Sequence, residues 1–320
     1  MPICSYPGSP ILSQSVAIKM GIESDYGVSS PYLSELPYFY GDLSPIQPGS
    51  VAGARRISHE STTETIAIGK FFTLAGVFQV SGSGDATTPP KWMELFDICG
   101  LPRTYKEEDT SIISYRPGPT KFATFEVYYS DIKHTMLGSC GSLSFGARAG
   151  GPVGGLYRVQ GLFGDIEAAD RFNPIVQPLN PLLATGIGFT VIPESDTNGI
   201  DVIVKSFNID LGRNIVQRYE SNGSGNPSKI FLQSGVDVIW ETIVEVNSGI
   251  DWIDLWGSNT RFDLSMELGS DIGNRIKCFT PDGFTAKLDA IPAYADVDGI
   301  KSMNLRFKLL TNNHIEIRHS

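Results

Sequence analysis

Apolar and polar residues alternate with a period of two through most of this chain, and that rhythm admits little besides a strand-rich fold. Successive side chains of a strand point to opposite faces, so alternation marks a sheet with one face buried. The cleanest stretch is 302–309, where Met303, Leu305, Phe307 and Leu309 oppose Ser302, Asn304, Arg306 and Lys308. In 236–246, Val236, Val238, Trp240, Val244 and Val246 oppose Asp237, Glu241 and Glu245. Comparable runs predict strands at 71–80, 110–115, 121–129, 134–146, 154–163, 187–192, 201–211, 260–268, 274–279, 284–290 and 313–318. With 34 glycines and 20 prolines to supply turns, a mainly β fold of many short strands is expected.

Two short segments carry a helical rhythm instead. Residues 91–99 follow Pro89-Pro90 and stop at Gly100, with Trp92, Leu95, Phe96 and Cys99 on one face. Residues 251–256 repeat the spacing with Trp252, Leu255 and Trp256 before Gly257. Both fit Trp-x-acid-Leu-aromatic, and each follows a long strand and precedes a strand and a hairpin, which points to an internal duplication. At 320 residues the chain is long enough for two domains. The expected boundaries are a first domain over 1–165, a proline-bearing linker over 166–184 and a second domain over 185–320. Residues 1–13 read as an extended arm, and 27–60, rich in Pro, Gly, Ser and Tyr, as a long loop that orders on meeting a partner.

No constellation for catalysis or metal binding emerges. His59, His134, His314 and His319 are scattered, and 314 and 319 fall on opposite faces of a strand. Nucleophile motifs are missing, and Cys4, Cys99, Cys140 and Cys278 lie far apart, as buried free thiols do. The glycine-rich run 146–155 lacks the Lys-Ser/Thr ending of a phosphate loop and reads as a turn. Glu107-Glu108-Asp109 lacks the alternating spacing and glycine of a calcium loop. Neither cofactor nor metal is expected, and the chain is not read as an enzyme. The first residues lack the basic and apolar segments of a signal peptide, and no run is long enough to span a membrane, so a cytosolic origin is expected.

Net charge is −10, which opposes tight gripping of a phosphate backbone. The row Asp237, Glu241, Glu245 reads either as an ordinary exposed face, interrupted by Ile239 and Ile243, or as a surface facing a charged polymer that it must not hold. Tyr32, Tyr38, Phe39 and Tyr40 have no Lys or Arg within 31–50, so protein docking suits them better than stacking on bases.

Several short motifs then fall in a telling order. Val16–Gly27 ends in Glu23-Ser-Asp-Tyr-Gly27; Phe78–Gly84 and Pro89–Leu101 give a strand, a Gly/Ser turn and a helix ending in Cys-Gly. Phe125–Phe145 gives a hairpin, Tyr157–Gly164 a closing strand, and Ser206-Phe-Asn-Ile-Asp-Leu-Gly212 a further signature, followed by Gly273-Asn-Arg-Ile and Asp298-Gly-Ile. Over about residues 14–310 this order resembles the long, two-part major tail tube proteins of siphophages. The insert at 31–56 departs from that pattern.

The resemblance implies two tandem tail-tube-type β-sandwich or barrel domains, each with one short helix, whose sheets close into a β-barrel ring on oligomerisation. It implies three chains per ring with pseudo-sixfold symmetry, and rings stacked into a tube within the virion tail after assembly in the host bacterial cytoplasm. Such a tube holds the tape measure protein, meets the terminator and distal tail proteins, and passes double-stranded DNA without specific binding. On that footing Asp237, Glu241 and Glu245 are assigned to an acidic lumen face. Tyr32, Tyr38, Phe39, Tyr40 and Arg148 are assigned to contacts between subunits or rings. Two alternatives stay open: another tail protein of related fold, such as a distal tail or terminator subunit, and a β-rich glycan-binding module using Trp240, Trp252 and Trp256.

Overall fold

A computed structural model describes residues 16–36, 39–44, 49–52, 65–68, 71–85, 87–106, 109–129, 131–170, 181–185, 187–196, 198–219, 227–233, 237–247, 249–269, 271, 273–281, 283–310 and 315–319. It is mainly β, as the alternation predicts. The first half supplies β1 (Val16–Ile22), β2 (Ser34–Glu35), β3 (Phe39–Ser44), β4 (Gly49–Ala52), β5 (Thr65–Ile68) and β6 (Phe71–Gln79). A 3-10 turn at Lys91–Met93 then runs into helix α1 (Glu94–Ile98). Next come β7 (Arg103–Lys106), β8 (Asp109–Tyr115), β9 (Ala123–Tyr129), β10 (Ile132–Arg148) and β11 (Gly154–Ala168).

The second half holds β12 (Gly188–Pro193), β13 (Ile200–Val202), β14 (Val204–Asp210), β15 (Ile215–Tyr219), β16 (Pro227–Leu232) and β17 (Ile239–Glu245). After helix α2 (Trp252–Gly257) follow β18 (Arg261–Leu268), β19 (Ile276–Phe279), β20 (Ala286–Leu288), β21 (Ala293–Val297), β22 (Ile300–Leu309) and β23 (Glu316–His319). Both helices stand where the spacing predicts. Asp251 caps α2 by accepting hydrogen bonds from the Ile253 and Asp254 amides, which satisfies two of the orphan donors at its start.

The strands pair antiparallel into one large branched sheet. Eight of them run side by side in the order β3, β6, β11, β10, β14, β17, β22, β21. The long β10 lies beside β9 at its start and β14 at its end, so one sheet spans both halves of the chain. Among the described residues the strand pairings form no closed circuit, so the sheet is open. Most of the core is likewise one contiguous cluster, running from Ile18 to Ile317. The two halves are therefore not separated by independent cores among the described residues.

A pairing pattern nevertheless recurs. β1 pairs with β9 as β12 pairs with β18, β3 with β6 as β14 with β17, and β6 with β11 as β17 with β22. Two backbone hydrogen bonds anchor the correspondence. The Glu23 amide donates to the Phe122 carbonyl as Glu194 does to Arg261, and the Val80 amide donates to Val153 as Val246 does to Lys301. On this alignment Ala75 matches Glu241, Asp42 matches Asn208 and Arg158 matches Arg306.

Residues 27–60 are not one long loop. Phe39–Ser44 lie against Phe78–Thr73 of β6, and β4 pairs with β5. Pro, Gly and Tyr interrupt the alternation there, which hid strands whose register is set by the partner rather than by their own pattern. The predicted linker begins within β11, which continues to Ala168, and 171–180 lie outside the described residues. So do the arm 1–13, Tyr38, His59, Glu107, Glu108 and His314. The run 201–211 divides at Ile203 into β13 and β14.

Candidate assembly interface

The eight-strand sheet has two unlike faces. One faces the core through residues such as Phe78, Tyr157, Phe145, Phe207, Trp240 and Leu305. The other is open over much of its length and carries Val77, Leu156, Arg158, Ser144, Asn208, Glu241 and Arg306 in cross-strand register. Val77 and Leu156 border a groove of about 350 Å³ where Gly146 and Gly154 contribute no side chain.

Asp237, Glu241 and Glu245 all stand on this open side, as the sequence alternation requires. They are not a bare acidic row. Lys308 pairs with Asp237 at 2.6 Å, Arg306 with Glu241 at 3.5 Å, and Lys205 with Glu245. Each base comes from a strand next to β17, so the sheet pairing itself brings opposite charges together. The Asp237 hydrogen bond is the largest influence on the Lys308 ammonium, whose pKa is raised.

The free edges of the eight-strand order are β3 and β21, each paired on one side only among the described residues. Phe39 and Tyr40 belong to β3 and so lie at an edge. Tyr32, two residues before β2, is 85% exposed. Arg148 closes β10 and reaches Asp298 in the β21–β22 turn at 2.9 Å, both side chains being largely exposed. The run 146–155 forms the β10–β11 turn, with Gly150 at φ 80°.

Two buried polar devices tie the halves together. The Glu23 carboxylate accepts from the Gly27 amide, the Thr124 hydroxyl and the Gly138 amide, each at 2.8–3.0 Å. Beside it the Tyr26 ring lies against Gly138, whose φ of 56° and missing Cβ leave the ring its place. The Tyr26 hydroxyl accepts from the Ile230 amide at 2.6 Å, and burial pushes its pKa up to about 12. The Glu-x-x-Tyr-Gly turn is thus a latch that holds the β15–β16 hairpin of the second half on the first. That hairpin covers one end of the open face, where Ile230, Phe71 and Cys140 form a small apolar cluster flanked by Leu162, Ile215 and Leu232. Gln217 adds a hydrogen bond to Gln160 at 3.0 Å.

The second device is Glu316 on β23, fully buried and held by Ser114 of β8 at 2.8 Å, by Arg318 at 2.5 Å and by Arg116. Burial alone would raise its pKa; the hydrogen bonds from Arg318, Ser114 and Arg116, with the Arg318 charge, outweigh it and hold the carboxyl below the ordinary glutamate value. The sequence marks Glu23 only as part of a turn motif and does not mark Glu316, because Thr124, Gly138, Ser114 and Arg116 lie about a hundred or more residues from the carboxylates they serve.

The remaining polar candidates do not converge. Cys99, Cys140 and Cys278 are buried free thiols whose pKa values burial raises. Among the described residues no group of three or more His, Cys, Asp or Glu is arranged to hold a metal, and no helix is long and apolar enough to cross a membrane. Trp240 and Trp252 are buried in the core, and only Trp256 of the three tryptophans considered for a glycan platform is partly exposed. No protein-family model matches the chain, and no curated protein matches it.

Proposed function

We propose that this chain is a structural subunit of a bacteriophage tail tube, whose stacked rings hold a tape measure protein and pass double-stranded DNA. The observation that carries the reading is the joint between β10 and β14. There the last strand of one four-strand set (β3, β6, β11, β10) pairs with the first strand of another (β14, β17, β22, β21), from Ser144↔Asp210 to Arg148↔Ser206. The chain therefore already contains one copy of the joint that a ring needs. Repeating it between chains sets β21 against β3 of the next copy, with Ala295 and Asp42 at the places of Gly146 and Asn208.

Edge-to-edge closure covers the two free strand edges, which are otherwise templates for uncontrolled association. Three chains give two sets each and pseudo-sixfold symmetry in a closed heterologous ring. With strands spaced about 4.8 Å apart, twenty-four of them enclose a bore of about 37 Å between backbones before strand tilt widens it. We take the open face as the bore. Its acids are offset by bases of the same chain, so the surface presents no excess of positive charge with which to trap phosphate. Terminator and distal tail proteins would meet the ends of such a stack in the virion.

The test is an inter-chain disulfide between Asp42→Cys and Ala295→Cys in a Cys4→Ser background. The reading expects oxidation to yield covalent dimers and trimers from an oligomer whose mass by light scattering is three chains. A protein that remains monomeric at high concentration, with no inter-chain disulfide, contradicts it.

A further inference from the structure

The repeat that relates the two halves leaves one site covered in the first half and, among the described residues, uncovered in the second. In the first, the open face ends at Phe71, Cys140 and Leu162, which the β15–β16 hairpin covers with Ile230 and Leu232. The matching end of the second half is reached by the same alignment: Leu162 corresponds to Leu310, which stays apolar, and Phe71 to Asp237, whose carboxylate pairs with Lys308. Leu310 is 44% exposed. It lines a groove of about 420 Å³ together with Trp256 and Leu288, rimmed by Lys287, Asp289 and Lys308. Phe96, the residue of α1 that matches Trp256, is fully buried, whereas Trp256 is not.

A hairpin matching β15–β16 exists in the first half. β4 and β5 follow β3 at the same interval of five residues as β15 follows β14, and they form a two-stranded sheet that pairs with no other strand among the described residues. Their register, Gly49↔Ile68 and Val51↔Ile66, parallels Ile215↔Leu232 and Gln217↔Ile230. The positions that answer to Leu232 and Ile230 are thus Ile68 and Ile66, also apolar.

We infer that the groove at Trp256, Leu288 and Leu310 is the docking site for the β4–β5 hairpin of a second copy of this chain. The inference rests on the ring reading, because a neighbour's hairpin can reach this groove only if that neighbour's β3 lies alongside β21. It adds a second attachment, made by side-chain packing on the sheet face, to the backbone pairing at the sheet edge. The groove, apolar at Trp256 and Leu310 and charged at its rim, then acts as the anchor of the subunit contact, and the edge pairing sets its direction.

A mixed cross-linking experiment tests it. One chain carries Ile66→Cys and the other, enlarged by a tag, carries Leu310→Cys, both with Cys4→Ser. A short bis-maleimide should join them into a mixed dimer that requires both cysteines and appears only in the assembled fraction. In parallel, Asp42→Cys with Ala295→Cys reports the edge joint. If the edge pair links while 66 and 310 do not, or if 66 and 310 link within one chain, the docking inference is overturned and the ring stands. If neither pair links between chains, the ring reading fails and takes the inference with it. Leu310→Asp gives an independent check: the monomer should keep its melting temperature while the apparent dissociation constant of assembly weakens by about tenfold or more. Unchanged assembly overturns the inference.

Discussion

Replacing Glu316 with Gln removes a buried charge while keeping the shape of the side chain, and the structure sets what should follow. The carboxylate is fully buried and serves three donors, Ser114, Arg116 and Arg318, of which Ser114 and Arg116 lie on or just after β8 in the other half of the chain. Breaking a buried ion pair costs about 3–5 kcal/mol when the remaining charge is trapped. Here Arg116 and Arg318 retain 38% and 23% side-chain exposure, so both regain water and the loss falls toward about 2–3 kcal/mol. Denaturant unfolding at neutral pH should show that deficit.

The deficit should also depend on pH. Glu316 has a lowered pKa in the folded protein, so its contribution is present above the ordinary glutamate value of about 4.3. It fades as the pH falls below that value and is lost once the pH passes through the lower folded pKa. Wild type and Glu316→Gln should therefore converge in acid because wild type loses stability. A deficit below about 0.5 kcal/mol at neutral pH, or one that persists unchanged in acid, would refute the argument.

Tyr26→Phe should cost about 1–2 kcal/mol in denaturant unfolding by leaving the buried Ile230 amide without its acceptor. Because burial raises the Tyr26 pKa to about 12, the fold favours the neutral phenol, and wild type should lose stability as the pH rises from 10 towards 12 through ionisation of this buried hydroxyl, not through loss of the Ile230 hydrogen bond; an ultraviolet tyrosine titration can follow it. Gly146→Ala should destabilise the β10–β14 joint, since the added Cβ would stand 2.2 Å from the Phe207 carbonyl oxygen; lost hydrogen-exchange protection at β14 is the readout. Cys99, Cys140 and Cys278 should resist a thiol reagent in the native protein and react on denaturation, as peptide mapping of the labelled chain would show.

Much of the fold was legible because burial on one face imposes a visible period. β17 and β22 stand within a few residues of their predicted limits, and both helices were marked by Trp-x-acid-Leu-aromatic. The strands without a visible period have a physical reason for lacking one. β3 sits in a segment broken by Pro and Gly, β15 carries Gln217 and Arg218 within five residues, and β21, Ala-Tyr-Ala-Asp-Val, has largely exposed side chains at a sheet edge. The acidic row was visible in β17, but its neutralisation was not, because Lys308, Arg306 and Lys205 become neighbours only through cross-strand register. The latch was visible as a turn motif and invisible as a latch, since Ile230 lies 204 residues from Tyr26.

The central claim is that chains join as the two halves of one chain already do. A helical reconstruction of the assembled protein by electron microscopy tests it most directly. The account expects a tube of three chains per ring, β21 of each chain paired with β3 of the next near Ala295 and Asp42, and the ion-paired face of β17 and β22 lining the bore. A ring joined through other strands, or an assembly with that face turned outward, would contradict it.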